Sequence, residues 1–217
     1  MLKADLHIHT KYSMDSGTAL EDIISRCQKL EINCIAIADH GTVTGALKMK
    51  SMAPFYVIVA EEVLTPHGEI MGMFLKETIP SGLSVAETIA KIREQDGLVC
   101  IPHLFDTIRG STLDNKTVEE IVEHIDAVEA FNSRSLLLNI SSKAEAFADK
   151  HHIAKSAGSD AHTINEIGHA YIEIPEFTGK DDFLKSLVQG KISGHRTNPF
   201  IHVNSTLNRL KSQIISP

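Results

Sequence analysis

Short apolar runs alternate along this chain with longer amphipathic stretches. Ala4–Ile8, Asn33–Ala38, Tyr56–Ala60, Glu69–Leu75, Leu98–Ile101, Ala127–Ala130, Ala154–Ala157 and Tyr171–Ile174 each read as a strand. The run Cys34-Ile35-Ala36-Ile37-Ala38 is apolar throughout, which suits a parallel strand covered on both faces. Helical periodicity appears over Leu20–Leu30, Gly45–Met49, Ser84–Gln95, Lys116–His124, Asn139–His151 and Lys180–Gln189, with an amphipathic segment near Leu207–Ile214. Thr18 is placed to cap the first helix, Ser84 and Glu87 form a capping box, and Gly97 closes the helix that they open. Strand–helix repetition predicts an α/β fold with a mainly parallel sheet, either a closed barrel or an open doubly wound sheet. The 217 residues fit one domain spanning 1–217. That is short of the ~250 typical of an eight-fold barrel, so a smaller or distorted barrel fits better.

The polar residues that interrupt this pattern fall at strand ends. His7 and His9 end the first strand, Asp39-His40 the second and Glu61-Glu62 the third. His103 follows the strand at Leu98, and Asp160 and His162 follow the strand at Ala154. In a parallel α/β fold those ends share one edge, where active sites lie. Residues two apart in a strand point the same way, so His7 and His9 can bind one ion, and Asp160 with His162 repeats that spacing at the far end of the chain. A lone H-x-H is as readily a pair of hydrogen-bonded core histidines. The repetition at five strand ends argues for metal. Imidazole with carboxylate suits Zn, Mn or Fe. Asp5 and Asp39 either orient ligand histidines or serve as loop-capping polar residues.

Composition narrows the reading. A formal charge of −7 argues against coating a polyanion, while metal ions would supply local positive charge for a small phosphorylated substrate. The three cysteines, Cys27, Cys34 and Cys100, form no C-x-x-C pair and suit a reducing compartment. With no leader-like apolar segment at the N-terminus and no run long enough to span a bilayer, a cytoplasmic protein without membrane contact is expected.

Together, Asp5-Leu6-His7-Ile8-His9-Thr10, Ala38-Asp39-His40-Gly41-Thr42, Glu61-Glu62-Val63, Ile101-Pro102-His103 and Gly158-Ser159-Asp160-Ala161-His162 resemble the ordered motifs of the PHP (polymerase and histidinol phosphatase) superfamily. The resemblance implies a distorted seven-stranded (β/α) barrel and phosphoester hydrolysis by a metal-bound hydroxide at two or three divalent ions. By motif, His7, His9, Glu62 and Asp160 hold one ion, and Glu62 with His103 a second. His40, His162 and Asp15 hold a third. Glu62, Asp160 and His162 are the candidate catalytic residues. Two departures stand out. Asn132 occupies a position where many members carry a ligand histidine, and Glu69 another. Glu69 is then a substitute ligand, a base or a solvated strand-edge residue. Arg109, Arg134 and Arg196 are candidate phosphate contacts, since a guanidinium binds two oxygens at once. Small phosphorylated metabolites, nucleotides and nucleic-acid ends all remain open as substrates. The alternatives are an amidohydrolase-type enzyme, which usually needs a carboxylated lysine, and a metal-binding module without catalysis.

Overall fold

The computed structural model describes residues 1–137 and 139–197. Its strands are β1 (Leu2–Ile8), β2 (Cys34–His40), β3 (Tyr56–Thr65), β4 (Gly68–Met73), β5 (Leu98–Ile101), β6 (Ala127–Asn132), β7 (Ala154–Gly158), β8 (Ala170–Ile174) and β9 (Lys191–Gly194). The helices are α1 (Leu20–Lys29), α2 (Thr44–Met52), α3 (Val85–Glu94), α4 (Asn115–Glu120), α5 (Ile140–His151) and α6 (Lys180–Val188). The expected amphipathic segment near Leu207–Ile214 lies outside the described residues. No helix among the described residues is long and apolar enough to cross a membrane.

The nine strands make one barrel-shaped sheet in the order β7-β6-β5-β4-β3-β2-β1-β8-β9. β1, β2 and β3 run parallel, as do β5, β6 and β7. The expectation of a mainly parallel seven-stranded barrel needs correction at two places. β3 turns straight back into β4, which is antiparallel to both its neighbours. β8 and β9 add an antiparallel pair at the β1 edge. The β3–β4 link is only Pro66-His67, too short for the crossover helix that a parallel pair requires.

The barrel closes at one end. The N-terminal part of β1 pairs with β8, while its C-terminal end bridges the segment after β7. There His9 N donates to the carbonyl of Ala161 at 2.9 Å. The sheet separates two apolar clusters. One joins Ile35, Ile37, Val59 and Ile70 to the helix residues Ile23, Met49, Ile92 and Phe147. The other gathers Ala4, Ala36, Ala38, Ala60, Met71 and Cys100 inside the barrel, with Phe183 and Leu187 of α6 beneath. The small alanines let the strands converge, and the period of two carries the inward set up to His40, Glu62 and Glu69.

β1 keeps that rule only through an irregularity. Leu2, Ala4 and Leu6 face inward, but Ile8 packs with the helix-side cluster. Its register against β2 steps from Asp5↔Ile35 to Ile8↔Ile37, so β1 carries one extra residue. This bulge turns His7 and His9 into the barrel. Two helix ends also differ from expectation. Ala19, not Thr18, stands at the N-cap of α1, without a side-chain bond. The capping box of α3 is present, but Asp96 (φ 61°) takes the left-handed position, and Gly97 N donates to Ile92 O in the next one.

Candidate metal centre

The inward residues at the closed rim form one buried cluster. His7 Nε2 and His9 Nε2 lie 3.1 Å apart. From them, Glu62 oxygens are at 3.3 Å and Asp160 Oδ1 at 3.7 and 3.3 Å. Donors about 2.0–2.2 Å from a tetrahedral ion stand roughly 3.3–3.6 Å apart, so these four converge as one ligand set. Beside it, His103 Nε2 lies 3.1 Å from Glu62 Oε1 and 3.4 Å from Glu69 Oε2. Asp15 Oδ2 stands 3.1 Å from His40 Nε2 and 3.0 Å from His162 Nε2.

Buried carboxylates are costly unless matched by donors or cations. Glu62 Oε2, Glu69 Oε2 and Asp160 Oδ1 are buried without a hydrogen-bond partner. All three face the imidazoles, and divalent ions would satisfy them. The residues therefore fit the ions that the sequence motifs imply. All eight ligand candidates assemble here, and Glu69 joins them as a buried inward residue, not a solvated strand edge.

Further residues fix the ligands, and sequence reasoning missed most of these. Glu129, inward on β6, accepts from His7 Nδ1 at 3.0 Å, from His103 N at 2.6 Å and from Asn132 Nδ2 at 2.8 Å. The first bond leaves His7 Nε2 bare towards the cluster. A charged residue in the apolar run Ala127–Ala130 was the available signal. Ser13 Oγ lies 2.7 Å from Asp15, 3.4 Å from His9 Nδ1 and 3.3 Å from His40 N. Asp39 and Asp5 act on backbone instead of on ligand rings. Asp39 accepts from Thr10 N and Oγ1 at 2.6 and 2.7 Å, and Asp5 from Ser159 N at 2.8 Å and Gly168 N at 2.9 Å. Thr18 donates to the carbonyl of His162 at 3.1 Å. His103 (φ 36°) and Asp160 (φ 54°) both adopt left-handed backbone, uncommon for such residues and typical of sites where side chains are re-aimed. Gly158 makes room for His7, whose Cβ would stand 2.3 Å from any Cβ at position 158.

The electrostatics are those of a loaded cage. Burial alone would lower the pKa of His7, but Glu62, Asp160 and Glu129 raise it well above the ordinary value. His40 is likewise raised, against burial, by Asp15, Glu62 and Glu69. Burial, His9 and Arg134 push His162 down to about 4, so it is a neutral imidazole suited to ligation. Burial and Glu62 oppose ionisation of Glu69, yet the neighbouring imidazoles of His103 and His40 bring it to about 2.

A cleft of about 360 Å³ opens over the cluster, lined by Asp15, His40, Glu62, Arg109, Arg134 and His162 among others. Arg109 Nη1 bonds Asp160 Oδ2 at 2.5 Å, and Arg134 Nη1 contacts His162 Nδ1. Arg196 donates to the carbonyl of Ser135 at 2.6 Å and is not among the residues lining the cleft. His169 and His195 stack on each other at 4.4 Å.

Fold and ligand set define a barrel protein with a cluster for divalent ions at its strand ends. The chain belongs to the PHP family: residues 5–58 match the PHP domain and residues 142–192 the PHP-associated (PHP_C) region. It is 37% identical over 181 residues to an uncharacterized protein of Methanocaldococcus jannaschii, spanning 81% of this chain and 71% of that one. Its fold resembles that of a two-domain Bacteroides vulgatus protein containing a predicted PHP-like metal-dependent phosphoesterase (TM-score 0.72, 13% identity, 89% of this chain and 65% of that one). It also resembles a Chromobacterium violaceum amidohydrolase crystallised with sulfate (TM-score 0.64, 15% identity, 88% of this chain and 97% of that one).

Proposed function

We propose that this protein hydrolyses a phosphoester of a small phosphorylated molecule, using divalent ions held by the rim cluster. The observation that carries the reading is the union, in one cleft, of a convergent histidine–carboxylate set with two guanidinium groups, Arg109 and Arg134. When bound, the ions supply Lewis acidity and make water a nucleophile near neutral pH. His7, His9, Glu62 and Asp160 hold one ion, Glu62 and His103 take part in a second position, and Asp15, His40 and His162 hold a third. Glu62 stands among these positions, with Oε1 3.3 Å from His7 Nε2 and 3.1 Å from His103 Nε2 and Oε2 3.3 Å from His9 Nε2 and 3.4 Å from His40 Nδ1, so it would help to hold ions at adjoining positions. Arg109 and Arg134 both touch Asp160 and line the cleft, where their guanidinium groups would bind the equatorial oxygens of the phosphate. His162 is held neutral and serves as a ligand, leaving delivery of a proton to the leaving group to water. A cleft of about 360 Å³ accommodates a metabolite or a nucleotide better than a duplex.

The amidohydrolase reading has a fold neighbour in its favour. Against it, no lysine lines the cleft among the described residues. The test is a panel of phosphomonoesters, phosphodiesters, short oligonucleotides and cyclic amides, run on protein stripped and reloaded with Mn, Zn or Fe. Metal-dependent turnover of a small phosphoester is expected. Amide hydrolysis alone, or bound metal with no turnover on any phosphoester, would overturn the proposal.

A further inference from the structure

The second ion position departs from what the resemblance implied. There, residue 132 was expected to bring a ligand, and the chain has asparagine. The side chain of Asn132 is fully engaged elsewhere. Its Nδ2 donates to Glu129 Oε2 at 2.8 Å and to Asp160 Oδ2 at 3.1 Å. Its Oδ1 accepts from Arg134 N at 2.8 Å, which fixes the orientation of the amide. An amide nitrogen has no lone pair to give a metal, and its oxygen is turned away. Asn132 instead holds Asp160 by one oxygen and leaves Oδ1 to the first ion.

Glu69 stands on the other side. It projects inward from β4, a strand made inward-facing at that residue by the tight β3–β4 turn, and it is buried. Its Oε1 lies 3.1 Å from His40 Nδ1, and its Oε2 lies 3.4 Å from His103 Nε2 without a hydrogen-bond partner. A neutral imidazole binds a metal through one nitrogen and donates from the other. His40 Nε2 faces Asp15, and its Nδ1 stands 3.1 Å from Glu69 Oε1 and 3.4 Å from Glu62 Oε2, so Glu69 meets His40 through Oε1 and not through Oε2. Glu69 Oε2 is then free to complete a set with Glu62 Oε1 and His103 Nε2.

We propose that Glu69 is the third protein ligand of the second position, taking over from residue 132, and that this carboxylate-for-imidazole exchange makes the position favour Mn²⁺ over Zn²⁺ relative to the first. The first position offers two imidazoles and two carboxylates, and the second one imidazole and two carboxylates. Oxygen-rich sets suit Mn²⁺, while imidazole-rich sets suit Zn²⁺. The inference rests on the cluster holding ions, the first half of the proposed function, and is independent of the substrate.

The experiment counts ions. Protein stripped by chelator is titrated with Mn²⁺, bound ion being read by electron paramagnetic resonance, and then challenged with Zn²⁺ and analysed by plasma emission. Glu69→Gln should lose one Mn²⁺ equivalent, or weaken it at least tenfold, and keep the tightest site. Glu69→His should keep the ion count and shift the second position at least tenfold towards Zn²⁺. Asn132→Ala, which loosens Asp160, should weaken the tightest site and leave the weaker Mn²⁺ equivalent that depends on Glu69 in place. An unaltered Mn²⁺ titration in Glu69→Gln, an unshifted preference in Glu69→His, or loss of that weaker equivalent in Asn132→Ala would each overturn the proposal. A protein that binds ions as expected but cleaves no phosphoester would fail the functional reading and leave this one standing.

Discussion

The first and second ion positions share Glu62 and the same residue types, yet they are fastened differently. At the first, other side chains secure the ligands: Glu129 holds His7, and Arg109 and Asn132 hold one oxygen of Asp160. β1 is also closed on the segment after β7 by backbone bonds from His9 N to Ala161 O and from Ala161 N to His7 O. At the second, Glu129 accepts from the backbone N of His103 at 2.6 Å, but the ring has no such anchor, its Nδ1 reaching Thr112 only at 3.4 Å. Affinity in such a centre depends on how many ligands are held in place before the ion arrives, because each unheld side chain must be ordered on binding. The first position should therefore fill before the second.

That ordering can be broken from the largest effect down. Asp160→Ala removes a candidate ligand and takes the carboxylate partner from half-buried Arg109. It should abolish both the tightest ion and turnover, read by metal analysis and the phosphoester assay, and full turnover would refute the centre. Glu129→Gln keeps the shape but weakens the acceptor for His7. It should lower affinity at the first position by roughly 10–100-fold, measured by competition with a chromophoric chelator. Asp39→Ala, which frees Thr10 without touching a ligand ring, should cost about 1–3 kcal/mol of stability in denaturant titration and much less in ion affinity. An ion loss as large as that of Glu129→Gln would mean that the backbone clasp, not the ring acceptor, sets the geometry. The smallest effect is on pH. The carboxylates raise His7 and His9 against burial, so at neutral pH the ion-free cluster keeps protons that ions must displace. Ion affinity should rise with pH, and calorimetry in buffers of different ionisation enthalpy should detect proton release. Heats independent of buffer would contradict it.

The candidate ligands were legible because polar side chains at strand ends break an apolar pattern. His7, His40, Glu62, His103 and Asp160 were visible in that way. What holds them was not. Glu129 lies within a strand, and its role exists only once the barrel sets β6 beside β5 and brings its inward face to His7 of β1. The bulge between Asp5 and Ile8 is a property of pairing with β2, and no local propensity marks it. Glu69–Leu75 was legible as a strand, but its antiparallel direction was not, because it looks like any buried strand. Only the two-residue link at Pro66-His67 betrays its direction, and that same reversal brings Glu69 inward.

The closure of the barrel at one end has a further consequence. β1 and the segment after β7 are far apart in sequence, and two backbone bonds at 2.9 and 3.4 Å join them at the rim. The ligands of the first ion sit on both sides of that seam, with His7 and His9 on one and Asp160 on the other. The ion is therefore a cross-link between the beginning and the end of the barrel. Loading it should slow amide hydrogen exchange most along β1 and residues 158–162, so that occupancy governs how often the wall of the barrel opens.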